Sequence, residues 1–306
     1  MNNIFTKTNA YWAKYSEYEY RRSEDGALCL TPTSTAKPSV YDPMKDPETL
    51  VVDALNVGRL AMKRGDDKPL RDAVLEFVTK YGLLGFMTAL PTTSAFLNYD
   101  AVYFSKNHFI KEETLNTQDY LSIFFPFNKP GIYKDKDAAQ WSVKADHQTS
   151  EHAALAMTFA SEPIAVGMSL QPIYAEQYDW LVTQFRDWAY MLTSSFLFYE
   201  DKDLLDDATR ELYRQGVSAF GDKAPTYHIA LRDDKPQIVW DFPSLLLTIQ
   251  TLFGFALTDE TRPLRICRHC NQAFIADRAN AVFCSPTCKN QYGVYKNRDK
   301  NKQDTD

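Results

Sequence analysis

The spacing of apolar residues predicts a chain that is mostly helical. The clearest helical pattern runs from Pro172 to about Phe198, where apolar and mainly aromatic residues recur at intervals of three and four. These residues are Tyr174, Tyr178, Leu181, Phe185, Trp188, Leu192 and Phe196. An aromatic ligand box is one interpretation of such a stripe. We favour a face packed in the core, because stripes at helical spacing are usually core.

Other segments show helix signals of the same kind. Asp46-Pro47-Glu48 supplies an N-cap, a proline at the first helical position and an acid in the first turn, and Gly65 ends the apolar run that follows. A second amphipathic helix is predicted over about Pro69 to Tyr81. Shorter patterns predict helices over residues 116–125 and 204–213, and a buried helix over 243–257.

Alternating patterns predict a small number of strands. The turn residues Glu24-Asp25-Gly26 separate two short runs near the N-terminus and predict a β-hairpin. Residues 226–231 and 237–240 flank a polar turn and predict a second hairpin, whereas Lys129 to Gln148 reads as a polar surface loop. The predicted fold class is α+β, with a mostly helical body and short β-hairpins.

Charge is distributed unevenly along the 306 residues, whose net charge is −6. Residues 262–302 carry nine Lys or Arg and two Asp. Residues 1–261 carry 25 Lys or Arg against 36 Asp or Glu, a net charge of −11. A basic end on an acidic body indicates an anionic partner for that end. The partner is either nucleic acid or the protein's own acidic surface.

Cysteine usage favours a reducing compartment. The chain starts without a signal-peptide pattern, and its longest apolar stretch, Leu245 to Leu257, is too short to span a bilayer. We therefore expect a cytoplasmic protein with no membrane partner. Four of the five cysteines lie within 22 residues, which is typical of metal ligands and not of a disulfide framework.

The clustered cysteines have the spacing of a zinc site. Cys267 and Cys270 form one pair, and Cys284 and Cys288 form the other after thirteen intervening residues. Zinc prefers four tetrahedral ligands of this type, and four thiolates leave no open position for a catalytic water. The sequence therefore predicts structural Zn²⁺ as the cofactor. His269, inside the first pair, is interpreted as a turn residue.

The residues around the cysteines predict a treble-clef-like module. Short apolar runs flank the first pair and can form a hairpin, with Asn271 at a position where such turns need a left-handed residue. Ser285 is a good N-cap and Pro286 a good first helical residue, which places Cys288 in the first turn of a helix. We predict two domains, residues 1–258 and 259–306.

The predicted last helix is basic. Lysines and arginines alternate there with Asn, Gln and Tyr, a composition suited to following phosphates. A solvated terminal helix is the simpler alternative. The candidate nucleic-acid contacts are Arg265, Arg268, Lys289, Lys296, Arg298 and Lys300.

Two families share features with this end of the chain. Cys284-Ser285 and Cys288-Lys289-Asn290-Gln291 resemble the end of the bacterial CGNR-type zinc finger, although Lys289 and Gln291 stand where that motif has Gly and Arg. This finger follows a helical ABATE domain in proteins regarded as transcription regulators. The chain also resembles, over most of its length, a gut-bacterial family that ends in the same finger and has no assigned activity. The resemblance implies zinc ligation by the four cysteines and a DNA-binding role.

Enzyme motifs are absent from the sequence. Residues 1–261 contain no Gly-rich phosphate loop, nucleophile elbow or His-Glu-x-x-His motif. Asp146, His147, Glu151 and His152 form the best candidate for a site, and a polar loop gives the same pattern. We expect a zinc-finger protein that binds DNA in a regulatory role. The alternatives are a protein-interaction or structural finger on a ligand-sensing helical domain, with a protein or small-molecule partner, and an enzyme with its site in the body.

Overall fold

The computed structural model confirms the predicted fold class, a mixed α+β chain with short antiparallel sheets. It describes residues 8–93, 95–127, 164–201, 205–218, 224–232, 234–278 and 280–303. Side chains are described for all of these except residues 9, 197–201, 216–218, 232 and 295–303. The predicted surface loop from Lys129 to Gln148 lies outside the described residues.

Helices are the longest elements of the described chain. Their bounds are α1 Pro47–Lys63, α2 Lys68–Tyr81, α3 Phe86–Ala89, α4 Thr117–Phe124, α5 Ile164–Ser169, α6 Tyr178–Asp201, α7 Asp207–Ser218, α8 Leu245–Thr258 and α9 Pro286–Gln303. As its sequence predicts, α1 starts after Asp46, whose carboxylate accepts a hydrogen bond from the Thr49 N–H. Two short 3-10 turns occupy Pro43–Lys45 and Phe96–Asn98. None of the described helices is long and apolar enough to cross a membrane.

The strands in the described part of the chain are short and form five small sheets. Their bounds are β1 Thr8–Asn9, β2 Trp12–Tyr15, β3 Tyr18–Arg22, β4 Leu28–Pro32, β5 Pro38–Tyr41, β6 Ala101–Tyr103, β7 Thr114–Asn116, β8 Glu176–Gln177, β9 Thr226–Arg232, β10 Lys235–Asp241, β11 Leu264–Ile266 and β12 Ala273–Ile275. The orders are β2-β5, β3-β4-β8, β6-β7, β1-β10-β9 and β11-β12. Both predicted hairpins are present, as β3–β4 and β9–β10.

The core lies between α1, α2, α6 and α8. Helices α1 and α6 approach so closely that a Cβ on Gly58 would lie 1.9 Å from the carbonyl oxygen of Phe185, so this crossing requires glycine. The aromatic stripe of α6 is buried, with Phe185 and Trp188 at most 1% exposed. The stripe is therefore core, as we interpreted it from its spacing.

Helix α6 begins six residues later than its pattern predicts. Glu176 and Gln177, just before the helix, form strand β8 and pair with β4, and Glu176 is fully buried. The Glu176 carboxylate accepts hydrogen bonds from the N–H groups of Leu84, Gly85 and Phe86 at 2.8, 2.6 and 2.8 Å. Burial raises the pKa of this carboxyl, and these donors oppose the rise. Satisfying a buried carboxylate overrides the local helical preference.

Helix α8 leads directly from the core into the cysteine-containing segment. Leu264 on β11 and Ala273 on β12 are 5% and 2% exposed and belong to the main hydrophobic cluster of the body. Ile266 and Ile275 pack against the same cluster. The division at residue 258 stays a prediction, and apolar packing crosses it.

Candidate metal centre

Strands β11 and β12 form the hairpin that presents the first cysteine pair. Arg265 lies opposite Phe274 and Ile266 opposite Ala273. Beyond them the Cys267 N–H donates to the Gln272 carbonyl, and the Asn271 N–H donates to the Cys267 carbonyl, both at 2.9 Å. Asn271 has φ +60°, the left-handed conformation predicted for this turn.

The start of α9 presents the second pair. Ser285 caps the helix, because its hydroxyl accepts a hydrogen bond from the Cys288 N–H at 3.2 Å. Cys284 therefore precedes the helix and Cys288 lies in its first turn, as predicted. The Arg268 N–H donates to the Val282 carbonyl at 3.0 Å and ties the first turn to the segment before Cys284.

These elements bring the four cysteine sulfurs together, all within 4.8 Å of one another. The Sγ atoms of Cys270 and Cys284 are 3.7 Å apart, and those of Cys284 and Cys288 are 3.5 Å apart. A zinc–sulfur bond of about 2.3 Å gives a tetrahedral sulfur–sulfur edge of about 3.8 Å. The cluster therefore has the size and donor set that tetrahedral zinc requires.

The backbone around Cys267 favours a thiolate. Burial raises the pKa of this thiol, but the N–H groups of Cys270, Cys284 and His269 donate to its sulfur and bring its pKa to about 6. Burial and the neighbouring thiols raise the pKa of Cys284 to about 12. Four negative sulfurs this close repel one another, so a bound cation is needed to hold all four as thiolates.

Two side chains of α1 hold the first cysteine turn against the body. Asn56 makes a two-way contact with Ala273, accepting from its N–H at 2.7 Å and donating to its carbonyl at 3.3 Å. Arg59 donates to the Asn271 carbonyl at 2.6 Å and to the Thr193 hydroxyl at 3.1 Å. We call Asn56 and Arg59 the α1 clamp. The clamp is not predictable from the sequence, because neither residue carries a signal that points some 200 positions along the chain.

The charge of Arg59 complements the cysteine cluster. Burial lowers the pKa of Arg59, and negative charge on Cys270 opposes this effect. A zinc ion with four thiolates carries a net charge of −2, so a nearby guanidinium stabilises the filled site. A further ion pair joins Arg262 to Glu48 at the start of α1.

A cleft of about 520 Å³ lies between α1, α2 and the first cysteine turn. Its apolar lining comes from Val57, Leu60, Ala73 and Phe77. Charged groups at the cleft include Arg59, Lys63 and Glu76, and Asp53 is paired there with Lys80 at 2.7 Å. A cleft of this size holds a small molecule, and the mixed charges suit a polar one.

The candidate nucleic-acid residues do not share one environment. Arg265 is half-buried on β11, whereas Arg268 is exposed in the first cysteine turn. Lys289 is exposed on α9 and has no ion-pair partner among the described side chains. Lys296, Arg298 and Lys300 lie on the same helix, and their side chains are outside those described.

The described residues show no catalytic site around the candidate catalytic residues. Asp146, His147, Glu151 and His152 lie outside the described residues. His108 is 3.5 Å from the carboxylate of Asp187 at an exposed position. Elsewhere, His228 Nδ1 lies 2.7 Å from the carboxylate of Asp241.

Comparison with known proteins adds no relative. The chain matches no family model, no curated protein and no solved structure. The resemblance to CGNR-type fingers and to the gut-bacterial family therefore stays a proposal. What the structure supports without it is a cluster of four cysteines that could bind a metal such as zinc.

Proposed function

We propose that this protein is a zinc-finger protein that binds nucleic acid, with DNA as the expected partner, in a regulatory role in the cytoplasm. Zn²⁺ has a structural role here, since four thiolates occupy every position of a tetrahedral site. The resemblance to CGNR-type fingers, which follow ABATE domains, points the same way.

The observation that supports nucleic-acid binding is the exposure of the first half of α9, residues 286–294. This helix has no segregated apolar face with which to pack on the body. Lys289, Asn290 and Gln291 are exposed in the part whose side chains are described. Five Lys or Arg and one Asp lie on the helix as a whole. A basic helix whose described side chains are mostly exposed is suited to phosphates.

The test is binding of the purified zinc-loaded protein to random duplex DNA across a salt series. Each phosphate contact adds about 0.9 to the slope of log affinity against log salt. The triple variant Lys296→Gln/Arg298→Gln/Lys300→Gln is expected to reduce that slope by about three. A matched triple variant in the body, Lys45→Gln/Lys106→Gln/Lys111→Gln, changes the net charge equally and is expected to leave the slope unchanged.

A structural finger is the second candidate, and the α1 clamp favours it. The contacts of Asn56 and Arg59 attach the first cysteine turn to the body, so a bound metal would fix the end of the chain in place. In this case the finger contacts a protein partner or none. Undetectable DNA binding at low salt would overturn our first proposal and leave this one.

The cleft beside the finger supports the ligand-sensing role of the body. Cys270, Asn271 and Gln272 contribute to its lining, so a small polar effector bound there would touch the finger directly. Binding of such an effector would be coupled to the metal site by the same residues. Titration with a polar compound library, followed by protein melting temperature with and without zinc, tests this role.

A further inference from the structure

The β9–β10 hairpin presents an apolar face to solvent. Its register pairs Ile229 with Ile238, and the neighbouring pairs on the same side are Tyr227 with Trp240 and Leu231 with Pro236. The side chains of Tyr227, Ile229, Leu231 and Ile238 are 61%, 70%, 77% and 53% exposed. We call these four residues the outer face.

The hairpin turns its more apolar side to solvent. A sheet with one buried face normally turns its apolar side chains inward and its polar ones to water. Here the side opposite the outer face carries His228, Gln237 and Asp241, yet it also contains Val239, which is 1% exposed. The observed register therefore places Val239 inward and the outer face towards solvent.

The outer face is large enough to matter energetically. At about 200 Å² for a fully exposed side chain of this size, the four exposed fractions amount to roughly 500 Å². Single exposed apolar residues are ordinary, whereas a contiguous patch of this size is often functional. Two such faces in contact would bury about 1,000 Å², the lower bound for a specific interface.

We propose that the outer face is the interface between two copies of this chain, stacked face to face about a two-fold axis. A two-fold interface must be self-complementary, and a patch of aliphatic side chains and one tyrosine meets that condition. Ile229 and Ile238 lie at its centre, and stacked sheets pack about 10 Å apart.

The composition of the outer face suits a second copy as the occupant. The outer face carries no charged residue, so two copies meet without bringing like charges together. The proposal does not depend on nucleic-acid binding, because α9 and the outer face share no residue.

Sedimentation velocity of the full zinc-loaded chain tests the proposal. Over about 1 to 100 µM the wild-type protein is expected to convert from monomer to dimer, because its interface is at the small end of the specific range. Ile238→Glu is expected to raise the dissociation constant at least tenfold. Gln237→Glu adds the same charge at the adjacent residue on the other side of β10 and is expected to change it less than twofold.

A second variant separates packing from charge. Ile229→Ser adds no charge and is also expected to weaken the dimer, with far-ultraviolet circular dichroism and zinc content unchanged. A wild-type monomer at every concentration overturns the proposal, as does an equal effect of Gln237→Glu. Co-sedimentation of that monomer with phosphatidylcholine vesicles, lost in Ile238→Glu, would assign the face to lipid instead.

Discussion

The two halves of the cysteine module differ in what surrounds them. The β11–β12 half is packed into the main core through Leu264 and Ala273 and is hydrogen-bonded to α1. The α9 half exposes Lys289 to solvent and has no apolar face to bury. The cysteine cluster therefore joins a buried half to an exposed half. Changes in the first should affect stability, and changes in the second should affect recognition.

The largest effect on metal binding and stability is expected from removing one of the four cysteine ligands. Cys267→Ser should reduce bound zinc from about one ion per chain to near zero, because structural zinc contributes on the order of 10 kcal/mol to folding of such modules. Elemental analysis gives the metal content, and hydrogen exchange should show faster amide exchange in both halves. Cys29→Ser removes a cysteine outside the cluster and should leave zinc content unchanged; retained zinc in Cys267→Ser would contradict the assignment.

Removing a residue of the α1 clamp should destabilise the buried half of the module. Asn56→Ala leaves the N–H and carbonyl of Ala273 unpaired where that residue is 2% exposed. We expect a loss of about 2–3 kcal/mol in the free energy of unfolding, measured by urea denaturation. Lys63→Ala, at an exposed position on the same helix, should change it by less than about 0.5 kcal/mol. Equal effects of the two variants would mean that the clamp contributes nothing specific.

A substitution at Ser285, where the two halves of the module meet, should have a moderate effect on zinc affinity. Ser285→Ala removes the N-cap of α9, which is worth about 1 kcal/mol, so zinc affinity should fall about fivefold. Competition with a chromophoric chelator measures this change. Thr287→Ala, an exposed position in the same turn, is the control. A larger effect at Thr287 would show that the cap seen at Ser285 is not the one that orders Cys288.

The smallest effect on stability is expected on the exposed half. Lys289→Gln should change the free energy of unfolding by less than about 0.5 kcal/mol, because the side chain is exposed and has no described ion-pair partner. If α9 contacts phosphates, the same substitution lowers the salt slope of DNA binding by about one. Strong destabilisation by Lys289→Gln would remove the distinction between the two halves.

Local signals predicted the parts of the fold that depend on neighbouring residues. The start of α1 after Asp46, the left-handed Asn271 and the cap at Ser285 each involve groups no more than four residues apart. The cysteine spacing predicted the four-sulfur cluster because each cysteine pair lies in one short turn, and these two turns set most of the geometry of the cluster. The start of α6 was predicted wrongly, because Glu176 is held by N–H groups some 90 residues away.

By itself, the sequence determined that four cysteines gather and that a basic helix follows them, because spacing, turn residues and caps act over a few positions. Only the tertiary structure decided which half of the module is buried. Asn56 and Ala273 are 217 residues apart, and no local pattern pairs them. The tertiary structure also decided that the apolar side of the β9–β10 hairpin faces solvent. The alternation of apolar and polar residues identifies an apolar side, but it does not show which part of the protein covers that side.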